Sequence, residues 1–232
     1  LMELIRKLPK TIQVKRKKFV IDYIKDKEVI HIGCTGGLLG DVEEQNHINS
    51  YNKLTDTHYL FSQSARKISG IDISENKINF LKKQGFEDLH VFDICDPNFN
   101  LDTKYDVVLF PNIIEHLSNT GLALQNIKKI MHKESYLLIT TNNPFDILVL
   151  LKIFFNYESV HSEHTSYYSY STMKRTLEMN GLIINNFYYA TNEKNWPIKN
   201  NFLQYILKKF QIIFSKIFKQ FSEDFVFICK LK

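Results

Sequence analysis

Short apolar runs recur along the chain and alternate with stretches of helical periodicity. The runs are rich in Val, Ile, Leu and Phe. Continuous apolar runs of this kind are typical of parallel strands, because helices cover both faces of such strands and neither face meets water. The pattern predicts strands at residues 29–32, 68–73, 89–92, 107–110, 136–140, 182–190 and 225–230.

Helix signals lie between these runs. Ser74 is suited to cap a helix over residues 74–84, and Gly85 is suited to end it. Alternating strands and helices predict an α/β fold with a right-handed, doubly wound sheet. Apolar residues at helical spacing predict further helices at residues 119–131, 145–155, 171–180 and 202–221.

The length of the chain suits one domain, since 232 residues can bury a sheet between two helix layers. We predict a single domain over residues 1–232 that begins with a helical segment at 1–27. Residues 41–57 are polar and lengthen the connection to the second strand, so they are interpreted as an insertion, either a surface excursion or part of a lid. An amphipathic basic helix at 200–222 precedes the last strand.

The excess positive charge is concentrated in one part of the chain. The net charge is +5, and residues 199–232 contain seven lysines against Glu223 and Asp224, so they account for all of it. Binding along a phosphate backbone requires a basic stripe where the substrate lies, and the rest of the chain is near neutral. We therefore expect no nucleic-acid partner.

The three cysteines, Cys34, Cys95 and Cys229, are far apart and match no metal-binding spacing. This usage indicates neither a disulfide framework nor a zinc site. Residues 1–28 interleave charged and apolar residues and lack the long apolar core of a signal peptide. We expect a cytoplasmic protein.

Four of the eight glycines, Gly33, Gly36, Gly37 and Gly40, follow the first predicted strand directly. A loop that passes close to a ligand before a helix needs residues without a Cβ, although a tight strand-to-helix turn would need them too. The dinucleotide pattern G-x-G-x-x-G is absent, as is the G-K-[ST] of nucleotide-triphosphate loops. The cluster therefore favours a ligand of another kind.

Acidic residues end the next two predicted strands. Asp72 follows the second strand and Asp93 the third, and ligands of open α/β sheets bind where the carboxyl ends of strands meet. A carboxylate can accept hydrogen bonds from two vicinal hydroxyl groups. Either acid alone could be a helix cap or a solvated charge, but two in register favour a site.

Two segments resemble class I S-adenosylmethionine-dependent methyltransferases. Residues 29–37, Val-Ile-His-Ile-Gly-Cys-Thr-Gly-Gly, resemble the family's first motif, V-L-D-I-G-C-G-T-G, with a histidine in place of the acid and Thr-Gly in reversed order. Residues 105–117 resemble its D-V-V-x-x-x-x-x-x-E-H-L segment. The resemblance implies a mostly parallel seven-stranded sheet with helices on both faces, an antiparallel last strand, and S-adenosylmethionine as cofactor. It implies that the cofactor is bound by His31, Gly33, Cys34, Gly36, Gly37, Asp72, Ile73, Asp93, Ile94 and Asn112.

Residues 162–169 are similar to a segment that precedes a helix in ubiquinone-biosynthesis O-methyltransferases, and His164 is the matching residue. The resemblance implies that Glu115, His116 and His164 are the catalytic residues beside the sulfonium end of the cofactor. Either histidine could be a general base, because an imidazole titrates near neutral pH and can remove a hydroxyl proton.

In those relatives an acid, the Glu-His pair and the later histidine can bind a divalent cation. Here Asn112 stands at the position of the first acid, which leaves Glu115, His116 and His164, with His161 as a spare ligand. Loss of a carboxylate disfavours a hard ion such as magnesium. We expect no metal, with this triad as the alternative.

The expected function is transfer of a methyl group to an oxygen of a small molecule or glycan. One alternative is a cofactor-binding module with weak or no transfer, motivated by His31, Thr35 and Asn112. Another is a partner protein at the membrane surface, motivated by the basic helix at 202–221. We expect the apolar face of that helix to cover the sheet and belong to the core, with peripheral membrane contact as the alternative. The methyl acceptor and the oligomeric state stay open.

Overall fold

The structure, a computed structural model, describes residues 7–36, 52–192 and 202–232. Its strands are β1 Gln13–Lys15, β2 Glu28–Ile32, β3 Lys67–Asp72, β4 Leu89–Val91, β5 Tyr105–Pro111, β6 Met131–Asn142, β7 Leu182–Thr191 and β8 Asp224–Leu231. Its α-helices are α1 Arg16–Tyr23, α2 Thr57–Ser62, α3 Glu75–Lys83, α4 Thr120–Lys129, α5 Ile147–Phe154, α6 Tyr170–Met179 and α7 Phe202–Ile217. Short 3₁₀ helices occupy Lys53–Thr55, Ile114–His116 and Lys219–Phe221.

The strands form one sheet in the order β1-β7-β8-β6-β5-β2-β3-β4. β8 is antiparallel to both of its neighbours, and every other pair is parallel. The expected doubly wound, mostly parallel α/β fold with an antiparallel last strand is confirmed. The expected number of strands is wrong, because the described residues form eight strands rather than seven.

The additional strand is β1, at the edge of the sheet beside β7. It pairs with residues 189–191, and the Thr11 hydroxyl donates to the carbonyl of Phe187 at 2.7 Å. Within the expected helical segment at 1–27, only α1 is α-helical, and residues 1–6 lie outside the described part of the chain. β1 escapes prediction because a three-residue edge strand leaves no apolar run.

Side chains of the central strands alternate between two cores. On β5, Val107 and Leu109 pack with Val20 of α1 and Phe61 of α2, on one face of the sheet. Val108 and Phe110 point to the other face, where they belong to a core that includes residues of α4 and α6. This period of two explains why the strand reads as a continuous apolar run, since both faces are covered.

Side-chain caps and left-handed residues set the ends of several helices. Asn119 accepts from the Leu122 N–H at 3.1 Å before α4, and Ser169 accepts from the Thr172 N–H at 3.2 Å before α6. Gly85 and Gly181 follow α3 and α6 with φ of +83° and +75°, a conformation that glycine adopts without strain. These signals are visible in the sequence.

The helix α7 turns its apolar side away from the protein. Phe210 and Ile217 are exposed, whereas Gln211 and Ser215 are buried, and the Gln211 amide donates to the carboxylate of Asp146. The helix packs chiefly on α5 and the following 3₁₀ helix rather than on the sheet. The expectation that its apolar face belongs to the core is therefore wrong for the described side chains. Among the helices described, none combines the length and apolar character that crossing a bilayer requires.

Candidate functional site

The loop after β2 is closely packed and depends on glycine at its first position. Gly33 has φ of +73°, and a Cβ there would lie 2.2 Å from Ile113 Cδ1. The Gly33 N–H donates to the Ile71 carbonyl at 2.8 Å, and the Gly36 N–H closes a turn onto the Gly33 carbonyl at 3.1 Å. A side chain at position 33 would thus be strained and would clash. Gly37 lies outside the described residues.

The carboxylate of Asp72 is fixed against this loop. The Thr35 N–H and hydroxyl donate to Oδ2 at 3.1 and 2.6 Å, and the Ser74 N–H donates to Oδ1 at 3.0 Å. A carboxylate has about four lone-pair sites, so Oδ1 retains acceptor capacity for a ligand. The reversed Thr-Gly order of the motif therefore has a structural role, which the sequence did not reveal: Thr35 positions Asp72.

The residues after β3 and β4 differ in their exposure. Ile73 is 68% exposed beside Asp72, whereas Ile94 is buried in the core. Asp93 is exposed, and its Oδ1 accepts from the Cys95 N–H at 2.7 Å. This end of the sheet thus presents the carboxylates of Asp72 and Asp93 beside the exposed side chain of Ile73.

Two residues of the first motif point into the protein instead. The side chain of His31 is buried against α2, where its Nδ1 lies 3.1 Å from Nδ1 of His58. Burial lowers the pKa of both imidazoles, that of His58 to about 4, so the pair is uncharged at neutral pH. Cys34 is buried in a cluster with Ile78 and Leu81, and burial raises the pKa of its thiol. Both residues can meet a ligand only through the backbone.

Asn112 lies at the centre of a polar network after β5. Its φ is +53°, and its Oδ1 accepts from Arg16 Nη1 at 2.9 Å and from the Thr140 hydroxyl at 2.6 Å. Its Nδ2 donates to Glu115 Oε1 at 3.2 Å. Non-glycine residues with positive φ are uncommon and persist only when their surroundings hold them. Asn112 is held in this way by three side chains.

Arg16 and Asp224 extend the network, and the sequence did not single them out. Arg16 Nη1 lies 3.0 Å from Asp224 Oδ2, and the Asn142 amide donates to Oδ1 of the same carboxylate at 3.2 Å. Asp224 is 1% exposed. Its burial raises its pKa, and Arg16 opposes that shift. These residues lie far apart in sequence, so no local pattern connects them.

Glu115 is buried within the same network, with 1% of its surface exposed. Burial raises the pKa of its carboxyl to about 7 from an ordinary value of 4.5. The folded chain therefore retains a proton on Glu115 between these values, whereas the unfolded chain has lost it. The protonated carboxyl of Glu115 therefore makes its full contribution to the free energy of unfolding below pH 4.5, and this contribution is lost as the pH rises towards 7.

Replacing Glu115 by glutamine should remove this dependence, because the amide keeps the shape and cannot ionise. We expect the variant to become more stable relative to the unaltered chain as the pH rises from 4.5 to 7.5, by about 3 kcal/mol in total. Chemical denaturation of both proteins across this range measures the difference. Parallel stability profiles would show that Glu115 does not carry a shifted pKa.

Three histidines gather beside Glu115 on the loop that precedes α6 and on the adjacent 3₁₀ helix. The ring centroids of His116 and His164 are 4.6 Å apart, and His161 lies 5.7 Å from His116. One possible ligand atom from each of the three lies within 4.8 Å of the others, so they could hold a metal ion. The carboxylate of Glu115 belongs to the Asn112 network instead, so the group in the structure differs from the expected triad.

Backbone contacts hold residues 155–169, here called the histidine loop, in place. The N–H groups of Thr165 and Ser166 donate to the Glu115 carbonyl at 2.8 and 3.2 Å, and the Thr165 hydroxyl donates to the Leu117 carbonyl at 2.8 Å. Nδ1 of His164 is buried and has no hydrogen-bond partner among the residues that the structure describes. Glu163 Oε2 lies 3.8 Å from His116 Nδ1. The two sequence segments that resemble the family's catalytic region are thus in contact.

Comparison with known proteins identifies a family for this chain. A family model described as "methyltransferase domain" matches residues 4–184, well over half of the chain. Among curated proteins, none matches the chain significantly.

Solved structures share the fold over nearly the whole chain. An S-adenosylmethionine-dependent methyltransferase from Archaeoglobus fulgidus is 21% identical with a TM-score of 0.58, and the match covers 93% of this chain and 91% of that one. A protein from Bacillus halodurans is 14% identical, with a TM-score of 0.56 and coverage of 92% and 97%. Magnesium protoporphyrin IX methyltransferase from Synechocystis, solved with S-adenosylhomocysteine, is 12% identical, with a TM-score of 0.54 and coverage of 94% and 82%. This chain therefore belongs to the methyltransferase domain family, and it shares the fold of S-adenosylmethionine-dependent methyltransferases.

Proposed function

We propose that the chain transfers the methyl group of S-adenosylmethionine to an oxygen of a small molecule or glycan. The described residues fit the adenosyl part of the cofactor. Gly33 and Gly36 place no side chain at two positions of the loop after β2, and Asp72 offers a fixed carboxylate for ribose hydroxyls. The exposed side chain of Ile73 offers an apolar surface for the adenine ring. Asp93 is exposed and can accept from the adenine amino group.

The cofactor supplies a methyl group on a sulfonium that is already a good leaving group. The protein's part is to hold the acceptor oxygen in line and to remove its proton. An alcohol or phenol is a poor nucleophile until a base removes its proton. A site that offers a base therefore favours an oxygen acceptor. The likeness of residues 162–169 to the ubiquinone-biosynthesis group supports the same class of reaction.

The observation that carries the proposal is the position of His116. Burial lowers the pKa of its imidazole, so the ring is uncharged at neutral pH. The side chain remains 29% exposed, so the ring can receive a proton from an acceptor. Glu163, 3.8 Å from Nδ1, stabilises the imidazolium once the proton arrives. His164 packs edge-on against the His116 ring and restricts its orientation.

Replacing His116 by asparagine should lower kcat by about 100-fold or more, the usual contribution of a general base. Labelled cofactor and a panel of phenols, quinone precursors and nucleotide sugars would first identify an acceptor. S-adenosylhomocysteine affinity should not change, because the imidazole acts on the acceptor. The matched control is His132→Asn, at the start of β6 and at the opposite end of the sheet, which should keep full activity.

Other outcomes contradict the proposal in different ways. Equal kcat for His116→Asn and the unaltered chain would exclude the base. Loss of activity in chelator, restored by a divalent cation, would instead assign His116, His161 and His164 to a metal ion. Cofactor retention without turnover of any acceptor would favour a cofactor-binding module.

A further inference from the structure

The helices α5 and α7 pack against each other and expose much of their apolar surface. No residue of α5 is buried, its end at residues 152–154 is exposed, and the side of α7 that turns away from the protein is exposed as well. Phe154 is 80% exposed and Ile217 is 69% exposed. We refer to these exposed residues together as the apolar surface: Ile153, Phe154, Phe155, Ile206, Leu207, Phe210, Ile213 and Ile217.

Polar contacts fix α7 in this orientation. The Gln211 amide donates to the Asp146 carboxylate, Lys208 pairs with Glu223, and the Ser215 carbonyl accepts from the Gln13 amide at 3.2 Å. A helix held by its polar side presents its apolar side outward. The exposed apolar residues lie on two helices that pack against each other, and large exposed apolar patches mark sites of interaction with proteins or membranes.

The charge on these two helices has one sign. α5 contains Lys152, and α7 contains Lys208, Lys209 and Lys216, and neither helix contains an aspartate or glutamate. Lys208 pairs with Glu223, which leaves exposed lysines around the apolar residues. Apolar side chains flanked by lysines fit an interface of hydrocarbon and anionic headgroups. A second copy of the chain would bring like charges together.

We propose that the apolar surface seats the protein on an anionic lipid bilayer, with α5 and α7 lying in the plane of the interface. The histidine loop adjoins this surface, because Lys152 Nζ donates to the Ser159 hydroxyl at 2.7 Å and the Tyr167 hydroxyl donates to the Ser159 carbonyl at 3.4 Å. Docking places the proposed acceptor side of the enzyme beside the membrane. The docking itself does not depend on methyl transfer.

Flotation of the full chain with vesicles tests the proposal. We expect binding to phosphatidylcholine vesicles that contain phosphatidylglycerol, and binding weaker by at least tenfold to phosphatidylcholine alone. The variant Ile213→Asp/Ile217→Asp should weaken binding by 10- to 100-fold, since each isoleucine loses its burial. Lys209→Gln/Lys216→Gln should weaken it by about fivefold for each lysine.

The matched control is Met179→Asp. Met179 is an apolar residue of α6 that is 69% exposed and lies outside the apolar surface, so the variant introduces the same charge elsewhere. It should bind vesicles as the unaltered chain does. Circular dichroism and S-adenosylhomocysteine affinity, measured without vesicles, report on folding and on the cofactor site separately. Equal vesicle binding by the isoleucine variant, no binding by the unaltered chain, or a dimer that Ile213→Asp/Ile217→Asp abolishes would overturn the proposal.

Discussion

Replacing Asp72 by asparagine is expected to weaken S-adenosylhomocysteine binding by about 100-fold, which corresponds to a loss of about 2.7 kcal/mol. A hydrogen bond from a ribose hydroxyl to a charged acceptor contributes about 1.5–3 kcal/mol. The variant also sets its amide against the donors of Thr35 or Ser74, which both bind the carboxylate in the folded chain. Both effects oppose cofactor binding.

Isothermal titration calorimetry measures this affinity directly. The control is Asp102→Asn, because Asp102 is an exposed carboxylate in the connection before β5. This variant should bind S-adenosylhomocysteine as the unaltered chain does. A thermal melt separates loss of a ligand contact from loss of the fold. Unchanged affinity in a folded Asp72→Asn protein would exclude Asp72 from the cofactor site.

Replacing Arg16 by methionine is expected to lower the free energy of unfolding by about 3–5 kcal/mol, the usual result of removing one partner of a buried ion pair. Asp224 is 1% exposed, and Arg16 is its cationic partner at 3.0 Å. The variant also leaves Asn112 Oδ1 without one of its donors. The uncompensated carboxylate dominates the loss.

Chemical denaturation at pH 7 measures the change. Arg66→Met is the matched control, because the Arg66 side chain is 61% exposed and its ion pairs with Glu28 and Asp106 lie at the surface, where each is worth less than about 1 kcal/mol. Adding Asp224→Asn to the Arg16 variant should restore part of the stability, since it removes the unpaired charge. Equal losses for the Arg16 and Arg66 variants would contradict this account.

The central sheet could be predicted from the sequence because burial on both faces leaves a local mark. β5 and β6 are longer than predicted, since the run at 107–110 extends to Tyr105–Pro111 and the run at 136–140 to Met131–Asn142. The added residues include polar ones at the strand ends, which an apolar run does not mark. The positions of Asp72 and Asp93 at neighbouring strand ends follow from the same pattern.

Features that depend on distant contacts could not be predicted. The role of Arg16 arises because α1 packs under β5 and β8, and no periodicity near residue 16 shows this. The outward face of α7 was misassigned because hydrophobic periodicity shows that a helix has two sides but not which side meets the protein. Here the hydrogen bond between Gln211 and Asp146, which are 65 residues apart, turns the polar side of α7 towards the protein.

The place of β8 in the sheet has a consequence for how the chain must assemble. β8 lies between β6 and β7, although it follows both in sequence. Until residues 224–231 leave the ribosome, β6 and β7 each present an open row of backbone donors and acceptors. Such edges are templates for pairing with other chains. A nascent chain that stalls before residue 224 therefore exposes two unpaired strand edges, β6 and β7, that can pair with other chains and aggregate.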